Sequence, residues 1–397
     1  MLRILNARLP GSASPRTLWI RSGRFVEEEE EVCVEAVAGN TIATIDLEGK
    51  FVWPGLIETH LHLDKAGIMH YCCLKEGTLA EAIQQTAACK AQHFSVPEIY
   101  ARASKVLLRA IQNGTTHIRT HVEMDPTIGD QGLQAIEKLR NDYAWAVTMD
   151  ICVFPQEGML KNPGTEELLE QALAQGTANV LGGCPYTDSD PHGQIARLFE
   201  IAKKYNVDLD FHLDFDLNPQ EMHLWDVCRQ TVAHNYQGRV AVGHVTKLSM
   251  LGGDVWHKVA QACADSGVAV TVLPSTDLFL SGRGQYTHAI PRGVAPLWEL
   301  HTKYGVTCSL ATNNVGNPFT PFGDASMVRQ ANLYANIAQL STEDELTQCL
   351  HWISNDAARL LRLEHYGLEP GCWADFCVFD VSSADAIIAD ISPPVMS

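Results

Sequence analysis

The sequence lacks several features that would place a chain of 397 residues in a specialised class. It has no apolar run of 18 or more residues, so no membrane span is expected. Its first residues, "MLRILNARLPG", contain no apolar core ahead of a small-residue cleavage site and do not resemble a signal peptide. Basic residues are scarce, since 29 of them against 47 acidic residues give a net charge of −18. A field of this sign repels phosphate backbones, which argues against nucleic acid as a partner.

The cysteines lack the spacing of a disulfide framework. There are 12 of them without a C-x-x-C pair, and several stand inside apolar runs, such as Cys152 in "MDICVF" and Cys308 in "VTCSL". Buried cysteine usually behaves as a small hydrophobic residue, and irregular spacing in a long chain argues against disulfides. The expected location is therefore the reducing cytoplasm. The acidic run "EEEEE" at 27–31 is typical of a solvated turn.

Short apolar runs of the β type alternate with helix-length amphipathic segments from residue 51 onward. The segments, such as "VPEIYARASKVLLRAIQN" and "GQIARLFEIAKKY", repeat apolar residues at spacings of three and four. Eight strand–helix units over about 300 residues predict an α/β fold of the (β/α)8 TIM barrel type. A doubly wound sheet is the alternative, weakened because no G-x-G-x-x-G follows a strand. The eight strand candidates are "FVWPGLIETH", "TTHIRTH", "AVTMDICVF", "ANVLGG", "VDLDFH", "RVAVGH", "VAVTVL" and "VTCSLAT".

The two ends of the chain predict a second, smaller domain. Residues 1–50 show the alternation and Gly punctuation of short strands, and "GLEPGCWADFCVFDV" near the other end reads as a turn and a strand. Two helices, at 343–353 and 355–362, are expected to follow the eighth barrel strand. We therefore predict a small β-sandwich domain built from residues 1–50 and 368–397, and a barrel domain over residues 51–367.

Histidines stand at the ends of three predicted barrel strands, where catalytic groups of a TIM barrel lie. The first strand ends in "ETHLHLDK", and His60 and His62 share one face because they are two residues apart. The fifth strand ends at His212 in "LDFH", and the sixth at His244 in "AVGH". Imidazoles gathered at one barrel mouth predict a site for one divalent metal ion, zinc or iron.

The eighth strand carries amides where a metal hydrolase needs an acid. It ends in "ATNNVGNPF", so Asn313 and Asn314 stand at that position. A carboxylate there would ligate the ion and accept a proton from water, whereas an amide is a neutral, weak ligand and no base. Local turn formation is the alternative explanation of the two asparagines.

Three charged residues near the strand ends are candidate replacements for the absent acid. Asp214 follows His212 by two residues, Glu157 lies in "FPQEG", and Lys65 follows the H-x-H pair. Lys65 has the chemistry to orient a substrate or donate a proton, and the two acids have the chemistry of a base. A solvated loop charge or a local salt bridge is the alternative for each of the three.

Five segments together resemble the amidohydrolase superfamily, in its cytosine deaminase-like and N-isopropylammelide aminohydrolase-like branch. The similarity extends from about residue 1 to residue 380 and implies a (β/α)8 barrel, a small β domain, one metal ion and hydrolysis of a C–N bond. The segments are "THLHLDK" at 59–65, "IRTHVEMD" at 118–125, "VFPQEGM" at 153–159, "VGH" at 242–244 and "GLEPGCWADFCVFD" at 367–380.

The resemblance implies roles for residues that match the motifs. His60, His62 and His212 match the three metal-binding histidines, and Asn313 falls on the metal-binding aspartate. His244 matches the histidine that assists the attacking water or the departing group. The metal acid of the pattern is thus absent from this chain.

Further positions imply contacts with the substrate. Gln156 matches the glutamine that holds the amide edge of the substrate, and Glu157 is its neighbour in the same loop. Asn314 falls on a neighbouring acid, and Phe215 falls on a glutamate that carries protons to the ring. We expect these four residues to line the substrate pocket, with a small nitrogen heterocycle as the ligand.

Three functions remain open on the sequence. The first is a metal-dependent deaminase or aminohydrolase acting on a small nitrogen heterocycle such as a pyrimidine or triazine. The second is a catalytically inactive relative that binds a small ligand, which the missing acids favour. The third is a hydrolase of a cyclic amide, because changed acids beside an intact histidine set suit another leaving group. A homo-oligomer is left open as a partner.

Overall fold

The computed structural model describes residues 1–27, 42–285 and 287–397. Most of the acidic run at 27–31 lies outside them, so its solvated turn stays a prediction. The strands are β1 (Leu2–Ala7), β2 (Arg16–Arg21), β3 (Arg24–Val26), β4 (Ala43–Asp46), β5 (Phe51–Pro54), β6 (Leu56–Leu61), β7 (Thr115–Glu123), β8 (Thr148–Phe154), β9 (Val180–Gly183), β10 (Asp208–Leu213), β11 (Val240–His244), β12 (Ala269–Val272), β13 (Cys308–Leu310) and β14 (Phe376–Phe379).

Helices follow most of the barrel strands. The helix over Val96–Gln112, for example, buries Ile99, Ala103, Val106 and Ala110, which repeat at the spacings of three and four read from the sequence. The helices are α1 (Leu79–His93), α2 (Val96–Gln112), α3 (Gln131–Asp142), α4 (Thr165–Ala174), α5 (Pro191–Tyr205), α6 (Leu224–Ala233), α7 (Gly253–Ser266), α8 (Pro274–Leu280), α9 (Leu297–Tyr304), α10 (Met327–Ala338), α11 (Glu343–His351), α12 (Asn355–Leu361) and α13 (Ala384–Ala389).

Strands β6 to β13 form one parallel sheet in chain order, which confirms the predicted TIM barrel. Strands such as β9, β11 and β12 are buried along their whole length, as expected when helices cover one face and side chains fill the other. The first predicted run holds two strands, because Gly55 separates β5 from β6. A Cβ at Gly55 would lie 2.3 Å from Oγ1 of Thr116, so glycine permits this close approach.

The barrel closes between β13 and β6 through the backbone of Asn313. Its N–H donates to the carbonyl of His60 at 2.8 Å, and its carbonyl accepts from the N–H of His62 at 2.8 Å. Asn313 has a φ of 64°, a left-handed conformation that asparagine and aspartate tolerate better than most residues. Glu58 supports the same closure, since its carboxylate accepts from the N–H of Thr312 at 3.0 Å. Burial raises the pKa of Glu58 to about 7.

Two small sheets pack beside the barrel. One has the strand order β3-β2-β1-β4, and the other pairs β5 with β14 in antiparallel fashion. Their inner faces share one apolar cluster, so the predicted small β domain is present. The cluster contains Ile4, Ala7, Ile20, Phe25, Leu47, Val52 and Val378.

The residues at the predicted domain boundaries make contacts in both directions. Strand β5, which we assigned to the barrel domain, pairs with β14 of the C-terminal segment. Helix α13, which we assigned to the small domain, packs on the barrel helices: Nδ2 of Asn332 donates to the carbonyl of Ile388 at 2.9 Å, and Ile387 and Ile388 belong to the main core. The division at residues 50 and 368 stays a prediction.

Two further observations concern the expected environment. Among the described residues, no helix combines the length and apolar character needed to cross a bilayer. The cysteines in the described ranges are free thiols, most of them buried. Cys33 lies outside those ranges.

Candidate metal centre and active site

Three imidazoles converge at the mouth of the barrel. His60 lies on β6, His62 follows it by two residues, and His212 lies on β10. The Nε2 atoms of His60 and His62 lie 3.0 and 2.9 Å from Nε2 of His212. A neutral imidazole carries one N–H, so three ring nitrogens that face one another hold lone pairs which a shared cation would satisfy.

The three rings are held in the neutral form that binds metals. Burial lowers the pKa of His60 to about 3, with the charge of His121 adding to the shift. Burial also places the pKa values of His62 and His212 well below their usual range, assisted by Lys65 and by the neighbouring imidazoles. Because the neutral imidazole is the ligand form, no proton has to be displaced for metal to bind at neutral pH.

These residues fit a divalent metal ion. Nitrogen ligands at roughly 2.0–2.1 Å from one tetrahedral zinc ion lie about 3.3 Å apart, close to the spacing of the Nε2 atoms. Oδ1 of Asn313 is buried and has no hydrogen-bond partner among the described residues. It is therefore available as a weak, neutral fourth ligand beside three nitrogens.

His244 lies next to this cluster and is bonded to a buried acid. Its ring centroid is 5.7 Å from that of His212 and 6.2 Å from that of His60. Its Nδ1 lies 2.6 Å from Oδ1 of Asp277, a residue of α8. Burial raises the pKa of Asp277, and the contact with His244 opposes that shift. With Nδ1 engaged, Nε2 is the ring nitrogen left to act on a ligand.

Lys65 and Gln156 come together on the opposite side of the mouth. Nζ of Lys65 donates to Oε1 of Gln156 at 3.1 Å and to Oε1 of Glu123 at 2.7 Å. The ammonium also lies 4.4 Å from the ring centroid of Phe319. Lys65, Gln156 and Glu123 are all buried. The pair therefore presents an ammonium and an amide from one wall of the site.

Glu157 belongs to a charge cluster behind that wall. Its Oε1 accepts from Nζ of Lys90 at 2.6 Å, and the same ammonium contacts Glu123 at 2.6 Å and Asp125 at 2.9 Å. Burial, with the charge of Glu123, raises the pKa of Glu157 to about 7. Although Glu157 is next to Gln156 in sequence, its carboxylate is paired with Lys90.

Asp214 and Asn314 make structural contacts. The Asp214 carboxylate accepts from the backbone N–H groups of His223 at 2.9 Å and Leu224 at 3.0 Å. Oδ1 of Asn314 accepts from Nδ2 of Asn317 at 2.7 Å. These bonds fix the loops after β10 and β13, and the predicted roles of both residues in chemistry stay predictions.

Phe215 belongs to an apolar cover over the site. Its ring centroid lies 4.3 Å from that of His244. It packs with Ala82, Leu280 and Phe319. A cavity of about 230 Å³ lies against Phe215, between the start of α1 and the loop after α8.

A second polar layer lies deeper in the barrel. The His121 ring stacks on that of His60 at 3.7 Å, and its Nε2 lies 3.5 Å from Oδ1 of Asp210. Oδ2 of Asp210 accepts from Arg119 at 3.0 Å. Although burial opposes ionisation, His121, His60 and Arg119 hold the pKa of Asp210 well below its usual range. This layer supports His60 from below.

The sequence reasoning missed several of these residues. Asp210 is two residues before His212, and His121 and Glu123 follow Arg119 at the same two-residue spacing, so the strand period placed them on one face. Asp277 carried no such signal. It lies 33 residues after His244, and only the docking of α8 brings the two together.

Comparisons with known proteins identify the family of this chain. The sequence profile of the Amidohydrolase family matches residues 43–138 and 76–395. The chain is similar to the N-isopropylammelide isopropyl amidohydrolase of Pseudomonas sp. (strain ADP), with 24% identity over 98% of this chain and 93% of that protein. The predicted family is thereby confirmed.

Two solved structures share the fold. The 5-methylcytosine deaminase from Klebsiella pneumoniae, liganded with phosphonocytosine, superposes with a TM-score of 0.90 at 24% identity, over 99% of this chain and 95% of that one. The N-isopropylammelide isopropylaminohydrolase from Burkholderia multivorans ATCC 17616 gives a TM-score of 0.85 at 27% identity, over 100% of this chain and 96% of that one. Both superpositions extend over the barrel and the small sheets.

Proposed function

Because the chain belongs to the amidohydrolase family, we propose that it is a metal-dependent deaminase or aminohydrolase of a small nitrogen heterocycle. The observation that carries this proposal is the convergence of the Nε2 atoms of His60, His62 and His212 within 3.0 Å contacts at the barrel mouth. The similarity to an enzyme named for N-isopropylammelide and the fold shared with a 5-methylcytosine deaminase support a triazine or pyrimidine ring as the substrate class.

Four residues would hold one zinc or iron ion: the three histidines, with Asn313 as a neutral oxygen ligand. When bound, the ion supplies a Lewis acid that polarises a water and lowers the pKa of that water. The replacement of a carboxylate by an amide leaves more positive charge on the site, which weakens metal retention and strengthens the polarisation of ligands. We infer weaker metal binding than a carboxylate at residue 313 would give.

Lys65 and Gln156 would hold the heterocycle. The ammonium and the amide lie 3.1 Å apart and present donors from one wall, which suits a ring that carries a carbonyl next to a ring nitrogen. The ring faces of Phe319 and Phe215 are available to stack on a flat substrate, since both belong to the cover over the site. Exclusion of water by this cover strengthens each polar contact inside.

His244 would move the protons. Water attacks the ring carbon that carries the exocyclic nitrogen, and Nε2 of His244 accepts a proton from that water. The C–N bond then breaks, its electron pair stays on the departing nitrogen, and that nitrogen takes the proton from Nε2. Ammonia or an amine leaves, and the second proton of the water passes from the oxygen to the adjacent ring nitrogen, so the ring keeps the oxygen as a carbonyl. General catalysis by one such group contributes about 10²–10⁴-fold.

A ligand-binding relative without turnover is the second candidate. The neutral Asn313 and the apolar Phe215, where the family resemblance implies acids, favour it. A hydrolase of a cyclic amide is the third candidate for the same reason. The retained donor set of three histidines favours turnover over the inactive relative and does not separate the two hydrolases.

A substrate panel separates the three candidates. Zinc-loaded protein and protein stripped by a chelator are incubated with cytosine, 5-methylcytosine, N-isopropylammelide and the cyclic amide dihydrouracil, and the products are followed by mass spectrometry. Release of ammonia or isopropylamine by the loaded protein alone supports the proposal. Addition of water without loss of an amine supports the cyclic-amide hydrolase. Saturable binding without any product supports the inactive relative.

A further inference from the structure

In the described part of the chain, the only carboxylate bonded to His244 is that of Asp277, a residue that the sequence analysis did not identify. Asp277 lies in the first turn of α8, directly after β12. Its Oδ1 is 2.6 Å from Nδ1 of His244, and its Oδ2 accepts from the backbone N–H of Leu273 at 3.1 Å. Asp277 and His244 have relative exposures of 0% and 3%. A bond of this length between an imidazole and a buried carboxylate is charge-assisted.

The other acids around the site are engaged elsewhere. Asp214 accepts two backbone N–H groups, and Glu157 is paired with Lys90. Asp210 is paired with Arg119, and Glu123 with Lys65. None of these four makes a hydrogen bond or ion pair with His244 among the described contacts. Among the described residues, Asp277 is therefore the carboxylate in hydrogen-bond contact with this histidine.

We propose that Asp277 is the positioning residue for His244, holding the proton on Nδ1 so that Nε2 faces the substrate with its lone pair. This inference rests on the proposed function for its chemical consequence but on the geometry alone for the hydrogen bond. This role differs from that of the metal-binding acid that the family resemblance implies at residue 313. The proton path then runs through the β11–α8 side of the mouth.

The consequence for the reaction follows from the tautomer. With Nδ1–H donated to Asp277, Nε2 accepts the proton of the attacking water, and the imidazolium that forms is stabilised by the adjacent carboxylate. The same proton then passes from Nε2 to the departing nitrogen. Asp277 keeps its charge throughout, and the pair returns to its starting state. Without Asp277, no carboxylate holds the proton on Nδ1. In the tautomer with the proton on Nε2, that nitrogen has no lone pair to accept a proton from water.

A structural role for Asp277 is the alternative, because its Oδ2 also fixes the start of α8 through Leu273. The substitution Asp277→Asn separates the two roles. The amide oxygen still accepts from the Leu273 N–H, while the amide N–H₂ turned toward His244 requires a lone pair on Nδ1 and thus reverses the tautomer. Asp226→Asn is the matched control, since Asp226 makes a 2.9 Å contact to Nδ1 of His192 away from the histidine cluster.

The first test reads the tautomer directly and needs no substrate. Long-range ¹H–¹⁵N correlation spectra of zinc-loaded, ¹⁵N-histidine-labelled protein are recorded, with His244→Gln to assign the ring. We expect a proton on Nδ1 of His244 in the wild type and in Asp226→Asn, and none on Nδ1 in Asp277→Asn. A proton-free Nδ1 in the wild type, or an unchanged Nδ1 proton in Asp277→Asn, overturns the inference even if the protein turns over substrate.

The second test uses a substrate identified by the panel. We expect Asp277→Asn to lower kcat by about 10²–10⁴-fold with KM, zinc content and melting temperature close to wild type. In a His244→Ala background the same change should lower kcat by less than about twofold, because Asp277 acts through that ring. An equal loss in both backgrounds overturns the positioning role. If the panel yields no product, the tautomer result still decides the inference, while the proposed function fails by itself.

Discussion

The two sides of the barrel mouth carry their charge in different ways. The β6–β8 side holds a closed ionic cluster in which Lys65 and Lys90 share the carboxylate of Glu123 at 2.7 and 2.6 Å. On the β11–β13 side, the carboxylate of Asp277 is bonded to His244, the catalytic histidine candidate, and the neutral Asn313 lies at the seam where β13 meets β6. In the first arrangement, the lysines and the carboxylate neutralise one another. In the second, the charge of Asp277 acts on the ring of His244 alone.

The difference shows that, after β13, the backbone geometry that closes the barrel does not depend on a charged side chain. Asn313 has to adopt a left-handed conformation and exchange hydrogen bonds with His60 and His62 to close the barrel. Both Asn and Asp meet that requirement, so the closure survives the loss of the acid. Proton transfer is then proposed for His244, and α8 supplies the one buried carboxylate in contact with that ring among the described residues.

The largest expected effect is the loss of the metal centre itself. His60→Ala removes one of three converging nitrogens and leaves a void under the ring of His121, so we expect zinc content to fall from about one per chain to near zero and turnover to vanish. Elemental analysis after chelation and reloading measures it. His288→Ala, at an exposed histidine, is the control and should keep its zinc. Retained zinc in His60→Ala would remove His60 from the ligand set.

Much of this fold was predictable from the sequence, because the barrel depends on local patterns. Strand and helix periods located all eight barrel strands, and the H-x-H spacing placed His60 and His62 on one face. The split at Gly55 was missed because an apolar run does not show where two strands part company. Asp277 was missed because its role depends on how α8 docks on β11, which is a tertiary contact without a sequence period.

Breaking the buried ionic cluster on the β6–β8 side should lower the free energy of unfolding by more than breaking an exposed ion pair does. Glu123→Gln leaves Lys65 and Lys90 without their shared buried carboxylate, and removal of one partner of a buried pair costs about 3–5 kcal/mol. Urea unfolding measures the change. Asp142→Asn breaks the exposed pair with Lys138 and should cost only about 0–1 kcal/mol. Equal costs for the two variants would contradict a buried network.

The Glu123 cluster should make the free energy of unfolding depend on pH in the acidic range. Although burial opposes ionisation, Lys65 and Lys90 lower the pKa of Glu123 below its usual 4.5 in the folded state. The stabilisation by this group is therefore complete above pH 4.5 and is lost as the pH falls through its lower folded pKa. We expect the difference in unfolding free energy between wild type and Glu123→Gln to shrink in that acidic window. A difference that grows on acidification would reverse the sign of the account.

Restoring a carboxylate at the seam sharpens the comparison. Asn313→Asp keeps the left-handed backbone and adds an anionic ligand, so we expect zinc affinity to rise on the order of tenfold or more. Competition with a fluorescent zinc chelator measures the change. Asn313→Ala is the matched control; it removes the side-chain oxygen and should cost about 1–2 kcal/mol of stability through the left-handed φ. Unchanged zinc affinity in Asn313→Asp would place the metal away from this side chain.

The smallest effect is expected at Asp214. Asp214→Asn keeps an acceptor for one of the two backbone N–H groups and tolerates the φ of 50° at this residue. We expect a loss of about 1 kcal/mol in unfolding free energy and a kcat within about twofold of wild type. A loss of kcat on the scale expected for Asp277→Asn would support the predicted catalytic role of Asp214.

The measurement that tests the central claim most directly is the zinc stoichiometry of the wild-type protein after chelation, reloading and exhaustive dialysis. The account predicts about one zinc per chain, because three neutral imidazoles and the unpartnered amide oxygen of Asn313 suffice without a carboxylate. Absence of stoichiometric zinc, and of iron under reducing conditions, would contradict it and leave a ligand-binding barrel whose histidines serve another purpose.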